Sequence, residues 1–400
     1  MKEVVILGAG YAGLKALHKL QHAHKELHIT LVDQNDFHCE KISLAEVAAG
    51  SLTRDDICYN LQDIINPKVT TFIQAKVQKI DPKHKVILLD TGQKLEYDYA
   101  IVALGFVSET FGIPGAKEYA LHMTNIEEAE KIHTHLLSEF AAYQNDHNQN
   151  HLNIIVCGAG FTGVELLGDL LDQRDNVYTK QFGITADQFN IICINGSDDY
   201  LPMFPKKLAD YGIDTLKKRG VNFLIGHVSG IKENLVEYKD ADGNIQTVAG
   251  NNILWTTGVS GSPVIQESGF EEHRNRVRNN PDLTFGEYPD LYFTGDVAAV
   301  FPDGAKRPYP TTAQIALQMG HVSAENILRQ IEGKPTETFQ YRNLGTVASL
   351  GNCNAFGTPL GMKLHGYLAS VTKKMIDDLS LYETGGLQEL LACGKFDFYH

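Results

Sequence analysis

The sequence lacks the segments that would carry a protein into or across a membrane. Its 400 residues contain no apolar run of about 18 residues, the length at which a helix begins to span a bilayer. The opening residues MKEVVILGAG place an acid and glycines where a secretory signal needs a long apolar stretch. The six cysteines form no CxxC pair and no zinc-ligand spacing, which predicts reduced thiols of a cytosolic protein rather than disulfides.

Positive charge is also scarce. The 35 lysines and arginines are outnumbered by 49 aspartates and glutamates, for a formal net charge of -14. A nucleic-acid interface needs a clustered positive field, so we expect no nucleic-acid partner. The histidines at positions 18, 22, 24 and 28 suggest no closed set of ligands, and we expect no metal site. With 43% hydrophobic residues, the chain is long enough for two or three globular domains.

The sequence contains two copies of one glycine-rich motif. The first copy, GAGYAG from Gly8 to Gly13, lies between the apolar strand EVVIL and the helical pattern LKALHKL. In such a turn Gly8 allows the sharp bend, Gly10 lets a pyrophosphate approach the backbone, and Gly13 lets the helix pack on the strand. Asp33 follows 20 residues after Gly13, at the end of HITLVD, where it can accept hydrogen bonds from ribose hydroxyls. This combination predicts a dinucleotide site.

The second copy, GAGFTG, has Gly158, Gly160 and Gly163 at the same spacing, between the strand LNIIV and the helix VELLGDLL. Two such sites imply two dinucleotides, and the natural pair is a permanently bound flavin with an exchanging nicotinamide. We therefore predict an α/β fold with two Rossmann-like domains, arranged as in glutathione reductase, plus a C-terminal subdomain.

Two strands that break at a glycine, YAIVALGF and NILWTTGV, are interpreted as the points where the chain crosses between domains. The expected division has a discontinuous FAD-binding domain at 1–112 and 250–330. An NADH-binding domain follows at 113–249, and a membrane-surface or dimerisation subdomain at 331–400.

Two further segments fit a flavin domain. LYFTGDVAAV ends a strand at Asp296, a carboxylate placed to hold a ribityl chain. YPTTAQIALQMGHVSAENILRQI predicts a helix of about 20 residues with Thr311 or Thr312 as N-cap, whose positive end would stabilise negative charge on a reduced flavin. Gln314 and Gln318 share one face of it, where their amides would meet a carbonyl-bearing acceptor such as a quinone.

These segments together resemble one family. GAGYAG, GAGFTGVE, WTTGV, YFTGDVAA and TTAQIALQ, with its AQxAxQ pattern, are similar to the type II NADH:quinone oxidoreductases, single-subunit respiratory NADH dehydrogenases that pump no protons. The resemblance implies FAD and NADH as cofactors and contacts to FAD from the following residues: Gly8, Gly10, Tyr11, Ala12, Gly13, Leu14, Asp33, Val77, Gly105, Asp296 and Ala313.

The resemblance also implies the remaining site residues. Gly158, Gly160 and Gly163 would meet the NADH pyrophosphate. Glu165 would lie near nicotinamide and quinone, with a role in orientation or proton transfer. Gln314 and Gln318 would line the quinone site, and Lys373 would lie near the flavin.

One position departs from the family pattern. Asn195 ends the second strand of the NADH-binding domain, where the family usually has an acid that binds the adenosine ribose. A charge-assisted hydrogen bond contributes about 1.5–3 kcal/mol and a neutral one about 0.5–1.5 kcal/mol, so NADH affinity is expected to fall several-fold to roughly tenfold. The change also removes a barrier to NADPH, although Asp198 and Asp199 follow where an NADPH enzyme would offer a cation. NADH remains the expected substrate.

The last fifty residues are interpreted as a peripheral attachment to the cytoplasmic face of the cell membrane. YLASVTKKMI and LQELLACGKF suggest interfacial helices whose lysines, at positions 363, 373, 374 and 395, would face anionic headgroups. A homodimer is also expected. The alternatives are a reductase for another acceptor, such as an iron–sulfur protein, sulfide:quinone-type chemistry using Cys157 and Cys353, or a catalytically weak NADH sensor.

Overall fold

A computed structural model describes residues 1–23 and 26–396 of the chain, so that His24 lies outside the described residues. The first of its two large sheets has the strand order Thr284–Phe285, Tyr288–Phe293, Tyr99–Val102, Lys2–Leu7, Leu27–Asp33 and Thr70–Gln74. Neighbouring strands in this sheet are parallel, except that Thr284–Phe285 and Tyr288–Phe293 are antiparallel. Val4 to Leu7 are at most 1% exposed, as expected for a strand covered on both faces.

The second sheet repeats this arrangement. It is entirely parallel, with the order Leu121–His122, Asn252–Trp255, Asn153–Cys157, Asn190–Asn195 and Asn222–Ile225. The helix that follows each glycine motif is Tyr11–Gln21, the first glycine helix, and Phe161–Gln173, the second glycine helix. The predicted α/β fold with two Rossmann-like units is confirmed.

Two connections between the sheets lie side by side. The strand Phe106–Ser108 pairs antiparallel with Val259–Gly261, and each begins at the last residue of a predicted crossing segment. The expected boundary at residue 250 falls too early, because Asn252–Trp255 pairs with Asn153–Cys157 in the second sheet. The chain therefore returns to the first sheet only after Trp255.

The remaining strands form small sheets, and further helices lie between the strands along the chain. The small sheets are Val77–Asp81 with Val86–Leu89 and Lys94–Glu96; His227–Lys232 with Leu235–Lys239 and Ile245–Ala249; Glu272–His273 with Arg276–Arg278 and Ala298–Ala299; and Phe37–Cys39 with Cys58–Asn60. The other α-helices before the C-terminal segment are Leu44–Ala49, Arg54–Ile57, Ala116–Tyr119, Ile126–Asp146, Thr179–Phe182, Lys206–Lys218, Val264–Glu267 and Ala313–Ile331, the last of which we call the glutamine helix.

The C-terminal segment bridges the two halves. It contains a sheet of Val347–Ser349, Ala355–Gly357 and Leu364–Gly366 and then the terminal helix, Tyr367–Cys393, which is interrupted at Gly386. Phe356 is buried in the core of the second sheet, with its ring centroid 4.9 Å from that of Phe204. Leu381 of the terminal helix belongs to the core of the first sheet. The segment is therefore placed to hold both halves in one arrangement.

Candidate active site

The two glycine motifs have the same backbone geometry. Gly8 has φ +103° and Gly158 has φ +111°, a region that other residues rarely adopt. A Cβ at Gly13 would lie 1.8 Å from the Gly8 carbonyl oxygen, and one at Gly163 would lie 2.0 Å from that of Gly158. The first and third glycines of each motif are therefore required by the chain's own turn and packing.

The middle glycines are free of this constraint. A Cβ at Gly10 or Gly160 would meet no atom of the described residues within 4 Å. Each lies immediately before a helix N-terminus, whose amides and dipole favour phosphate. Space that the protein leaves open at this point fits a dinucleotide pyrophosphate at each motif.

The residues at the two strand ends hold the glycine turns in the same way. The Ala9 amide donates to Asp33 Oδ2 at 2.7 Å, and the Ala159 amide donates to Asn195 Oδ1 at 3.0 Å. The Asn195 Nδ2 also donates to the Ser197 carbonyl at 2.7 Å. Burial raises the pKa of Asp33, although amide hydrogen bonds from Ala9 and Asn35 oppose this shift. Asn195 thus accepts the same hydrogen bond from the glycine turn that Asp33 accepts in the first motif, and its Nδ2 donates to a backbone carbonyl of the protein.

A cavity of about 390 Å³ opens beside the second motif. It is lined by Ala159, Gly160, Asn195, Gly196, Ser197, Asp199, Leu201, Pro202, Met203 and His227. Its volume is in the range usual for small-molecule sites, and it begins at the strand end where a ribose would lie. The cavity therefore suits the adenosine half of a nicotinamide dinucleotide.

On the flavin side, three predicted elements meet. A Cβ at Gly295 would lie 3.5 Å from the Ala12 Cβ and 3.6 Å from that of Ala316, so the loop of Asp296 contacts both the first glycine helix and the glutamine helix. Burial raises the pKa of Asp296, with Lys41 and Arg276 opposing the shift. A half-buried carboxyl beside the glycine motif fits a partner with hydroxyl groups, such as a ribityl chain.

The other predicted flavin residues differ in their surroundings. Gly105 has φ +67°, and its Cβ would meet no described atom within 4 Å. Leu14 and Val77 are buried in the core of the first sheet. The Tyr11 hydroxyl accepts a hydrogen bond from the Ile42 amide at 3.2 Å. Ala313 is the first residue of the glutamine helix, whose N-cap is Thr312.

The two glutamines have an arrangement that the sequence did not predict. Gln314 Oε1 accepts from the Tyr341 hydroxyl at 2.5 Å and from the Leu344 amide at 3.0 Å, while its Nε2 donates to the Gly345 carbonyl. Gln318 exchanges two hydrogen bonds of 2.9 Å with the backbone of Arg342. Both amides therefore anchor residues 341–345 on the glutamine helix. Each Nε2 has a second hydrogen beyond these bonds.

Glu165 and Lys373 are brought together from distant parts of the chain. Glu165 is 6% exposed, and its Oε1 accepts from the Ser349 amide at 3.2 Å and lies 3.9 Å from the Lys373 Nζ. Burial raises the pKa of Glu165 to about 7, against opposing effects of Lys373 and Ser349. Burial acts to lower the pKa of Lys373, but the carboxylates of Asp377 and Glu165 raise it overall. Glu165 can therefore bind or release a proton near neutral pH, while Lys373 keeps its positive charge.

Sequence reasoning missed the charges around this pair. Asp169 lies one turn after Glu165, is 5% exposed, and its Oδ2 has no hydrogen-bond partner among the described residues. Burial raises its pKa well above the ordinary value, and Glu46 and Glu165 add to the shift. The available signal was the run VELLGDLL, in which two acids interrupt an otherwise apolar helix.

Comparison with known proteins identifies the family. The pyridine nucleotide-disulphide oxidoreductase family matches residues 2–320. A type II NADH:quinone oxidoreductase of Staphylococcus saprophyticus subsp. saprophyticus is 38% identical over 402 residues, which cover 99% of this chain and 99% of that protein. The chain belongs to the type II NADH:quinone oxidoreductases. The family resemblance of the sequence motifs is confirmed.

Solved structures show the same fold. NDH2 from Plasmodium falciparum in complex with NADH has a TM-score of 0.86 and 17% identity, covering 98% of this chain and 97% of that one. The sulfide:quinone oxidoreductase from Aquifex aeolicus has a TM-score of 0.79 and 20% identity, covering 96% and 92%. The fold is thus shared between the type II family and sulfide:quinone enzymes.

Cys157 and Cys353, the two thiols considered for sulfide:quinone-type chemistry, lie in different surroundings. Cys157 is 0% exposed inside the second sheet, and burial raises its pKa to about 12. Cys353 is exposed. A redox pair needs thiols that can ionise and reach each other, so a buried thiol in a packed strand is unsuited to this role.

The lysines expected to face headgroups fall into two groups. Lys373 and Lys395 are wrongly assigned, because both are paired inside the protein. Lys373 Nζ lies 2.7 Å from Asp377 Oδ1, and Lys395 Nζ lies 2.6 Å from Glu46 Oε2. A charge held in a buried ion pair is unavailable to a lipid surface. Lys363 is exposed and Lys374 half-buried.

The first prediction concerns Asn195, the position where this chain departs from the family pattern. Asn195→Glu is expected to lower the KM for NADH about three- to tenfold and to raise the ratio of NADH to NADPH activity, because a carboxylate accepts ribose hydroxyls more strongly and repels a 2'-phosphate. Steady-state rates with both coenzymes provide the measurement. Asn195→Ala is the control, which removes the bond to Ala159 without adding charge. Unchanged coenzyme preference in Asn195→Glu would show that this position does not contact the ribose.

Proposed function

We propose that this chain oxidises NADH and reduces a membrane quinone of the menaquinone or ubiquinone type, using one bound FAD and pumping no protons. The pair of glycine turns carries the proposal. In each turn the first and third glycines are packed against the protein's own backbone, whereas an added Cβ at the middle glycine would meet no described atom within 4 Å. The first turn lies beside Asp296 and the glutamine helix. The second turn opens onto the 390 Å³ cavity.

When bound, FAD supplies a centre that accepts hydride from the nicotinamide and passes two electrons to quinone. The chain's own residues bind and orient the reactants. The FAD would be held by Gly8, Gly10, Tyr11, Ala12, Gly13, Leu14, Asp33, Val77, Gly105, Asp296 and Ala313. The NADH would be held by Gly158, Gly160, Gly163 and Asn195.

Side chains of the protein would supply the proton that quinone reduction requires. Reducing a quinone with NADH takes up one proton per turnover, and this proton must be delivered to the quinone. Glu165, with a pKa of about 7, holds a proton near neutral pH. Lys373, 3.9 Å away, stabilises the carboxylate that remains after transfer. Gln314 and Gln318 hold residues 341–345 on the glutamine helix, and we propose that their remaining amide hydrogens donate to a quinone carbonyl.

The test of this function is direct. Purified protein is expected to be yellow and to oxidise NADH with menadione at a turnover of the order of 10 per second, the usual range for enzymes. A ferredoxin-type acceptor is measured alongside to address the alternative reductase. A colourless protein, or one that oxidises NADH with no quinone, would overturn the proposal. Turnover below about 1 per second with every acceptor, together with NADH binding, would support a sensor instead.

We further propose that the terminal helix attaches the protein to the cytoplasmic face of the membrane. No helix within the described residues is long and apolar enough to cross a bilayer. Leu368, Met375 and Leu379, which lie on one face at intervals of seven and four, are 69%, 59% and 51% exposed. After the interruption at Gly386, Leu391 is 68% exposed. A quinone with a long tail resides in the bilayer, so lipid is the occupant we assign to this apolar face.

Vesicle binding tests this surface. Leu368→Asp with Leu379→Asp is expected to reduce co-sedimentation with phosphatidylglycerol vesicles about tenfold or more, because each exposed leucine contributes roughly 1.5–3 kcal/mol when buried in lipid. The water-soluble acceptor menadione should still be reduced. Ile245→Asp, at a residue 65% exposed in another sheet, is the matched control. Equal vesicle binding by the double variant and the control would exclude this face from membrane attachment.

A homodimer is a separate proposal that follows from the family resemblance. Light scattering of the purified protein measures it. If the double leucine variant becomes monomeric while its vesicle binding is unchanged, the apolar face is a subunit interface rather than a lipid surface.

A further inference from the structure

Two cysteines face each other across the short sheet of Phe37–Cys39 and Cys58–Asn60. Cys39 and Cys58 are register partners on its antiparallel strands. The Glu40 amide donates to the Ile57 carbonyl at 2.8 Å, so the cysteines form the adjacent pair that is not itself hydrogen-bonded. In such a pair the Cα atoms are about 4.5 Å apart and the side chains approach each other most closely. This separation is within the range of about 4.4–6.8 Å that a disulfide requires.

The two thiols have similar surroundings and contact each other. Both are free and half-buried. A hydrogen bond with Cys58, followed by burial, raises the pKa of Cys39. This hydrogen bond places the two sulfur atoms next to each other across the sheet. Either sulfur can attack an oxidant, because the other is close enough to resolve the product, and attack by Cys58 is one of the two equivalent orders.

The sheet that carries these cysteines leads into the segment beside the flavin motif. His38 Nδ1 lies 2.8 Å from the Ala9 carbonyl oxygen, inside the first glycine turn. On its other side, Lys395 Nζ donates to Ser43 Oγ at 3.0 Å, and Thr384 Oγ1 donates to Glu40 Oε1 at 3.2 Å. We call residues 37–43 the bracing segment. It lies between the first glycine turn and the C-terminal residues, so a bond at Cys39 would act on the support of the proposed FAD site.

We propose that Cys39 and Cys58 are a modification site, a dithiol that hydrogen peroxide converts to a reversible disulfide fastening the bracing segment. The Cys58 thiolate attacks one peroxide oxygen, the O–O bond breaks, and the hydroxide that leaves takes a proton to become water. The resulting Cys58 sulfenic acid is attacked by the Cys39 sulfur, which forms the S–S bond and releases a second water. Two thiols are oxidised by two electrons and one peroxide is reduced to two waters, so the step balances.

A third thiol supplies the control. Cys393 lies near the same sheet, with its Sγ 3.9 Å from the Asp55 carbonyl oxygen, and burial, followed by the charge of Glu389, raises its pKa. It is not a register partner of either cysteine. Cys353 is exposed and reports general oxidation. The two serine variants Cys393→Ser and Cys353→Ser therefore separate pairing across the sheet from other thiol chemistry.

The experiment treats the FAD-loaded protein with hydrogen peroxide, blocks remaining thiols with N-ethylmaleimide and maps peptides without reduction. We expect a peptide linking Cys39 to Cys58, the loss of two alkylatable thiols, and full reversal by dithiothreitol. The linked peptide should persist in Cys393→Ser and Cys353→Ser and disappear in Cys39→Ser and Cys58→Ser. Because the wild-type map is decisive, the test does not depend on the stability of any variant.

Two results would overturn the proposal. One is a peroxide-treated protein in which Cys39 and Cys58 stay alkylatable while Cys353 is oxidised. The other is a Cys58–Cys393 link as the only intramolecular product. The fastening effect has its own readout, because FAD release in mild denaturant should be slower for the oxidised wild type than for oxidised Cys39→Ser. Equal release rates would show that the disulfide does not brace the cofactor site.

Discussion

Gly160→Ala is expected to give a folded, yellow protein that NADH reduces poorly. The added methyl group meets no described atom within 4 Å, so it costs the fold little, but it occupies the space proposed for the NADH pyrophosphate. A steric overlap of this kind costs about 1–3 kcal/mol, which corresponds to an affinity lowered about 5- to 150-fold. Stopped-flow bleaching of the flavin absorbance at increasing NADH concentration measures the effect.

Gly10→Ala is the matched partner of this variant. It has the same open surroundings at the first motif, so it is expected to fold and to lose FAD while its second cavity is unchanged. Flavin content, measured by absorbance after gel filtration, separates the two substitutions. If Gly160→Ala lost FAD and Gly10→Ala kept it, the assignment of the two motifs to their nucleotides would be reversed.

Glu165→Gln is expected to lower turnover with quinone by about 10²-fold or more, the usual contribution of a positioned acid or base. Reduction of the flavin by NADH should change much less, because hydride transfer itself needs no proton from the protein. Steady-state quinone reduction and single-turnover flavin bleaching, measured on the same preparation, separate the two half-reactions. Equal losses in both would show that Glu165 positions the nicotinamide rather than supplying a proton.

The pH profile supplies the second readout for Glu165. Burial raises its pKa to about 7, so the carboxyl is protonated below this pH and ionised above it. If the protonated form delivers the proton, the quinone rate of the natural protein falls as pH rises through about 7, and this fall is absent in Glu165→Gln. Asp169→Asn is the control, because it removes a second buried carboxyl one helical turn away. A profile altered equally by Asp169→Asn would assign the proton to the charge cluster rather than to Glu165.

Much of the fold was predictable because its determinants are local. The sharp turn at Gly8, the close packing at Gly13 and the N-cap at Thr312 each depend on a few neighbouring residues, and the structure has all three. The doubling of the glycine motif therefore predicted two Rossmann-like domains, and the two large sheets agree with this prediction. The domain boundary near residue 250 was less predictable, because the apolar sequence of the strand Asn252–Trp255 would suit either of the two sheets.

The charges of the candidate site could not be predicted in this way. The partners of Glu165 come from the terminal helix and from the strand Val347–Ser349, far along the chain. The sequence suggested that Lys395 faces headgroups, yet its ammonium group is paired with Glu46. The type of a residue determines which hydrogen bonds and ion pairs it can form, but its actual partner depends on which segments pack together.

By itself, the sequence determined the two nucleotide-binding turns, the strands and helices around them, and the resemblance to one enzyme family, because glycine geometry and apolar periodicity act within short stretches of chain. Only the tertiary structure decided that Asn195 and the two glutamines are hydrogen-bonded to the protein itself, that Glu165 titrates near neutral pH, and that Cys39 faces Cys58. These properties depend on burial and on contacts between distant segments, which exist only after the chain has folded.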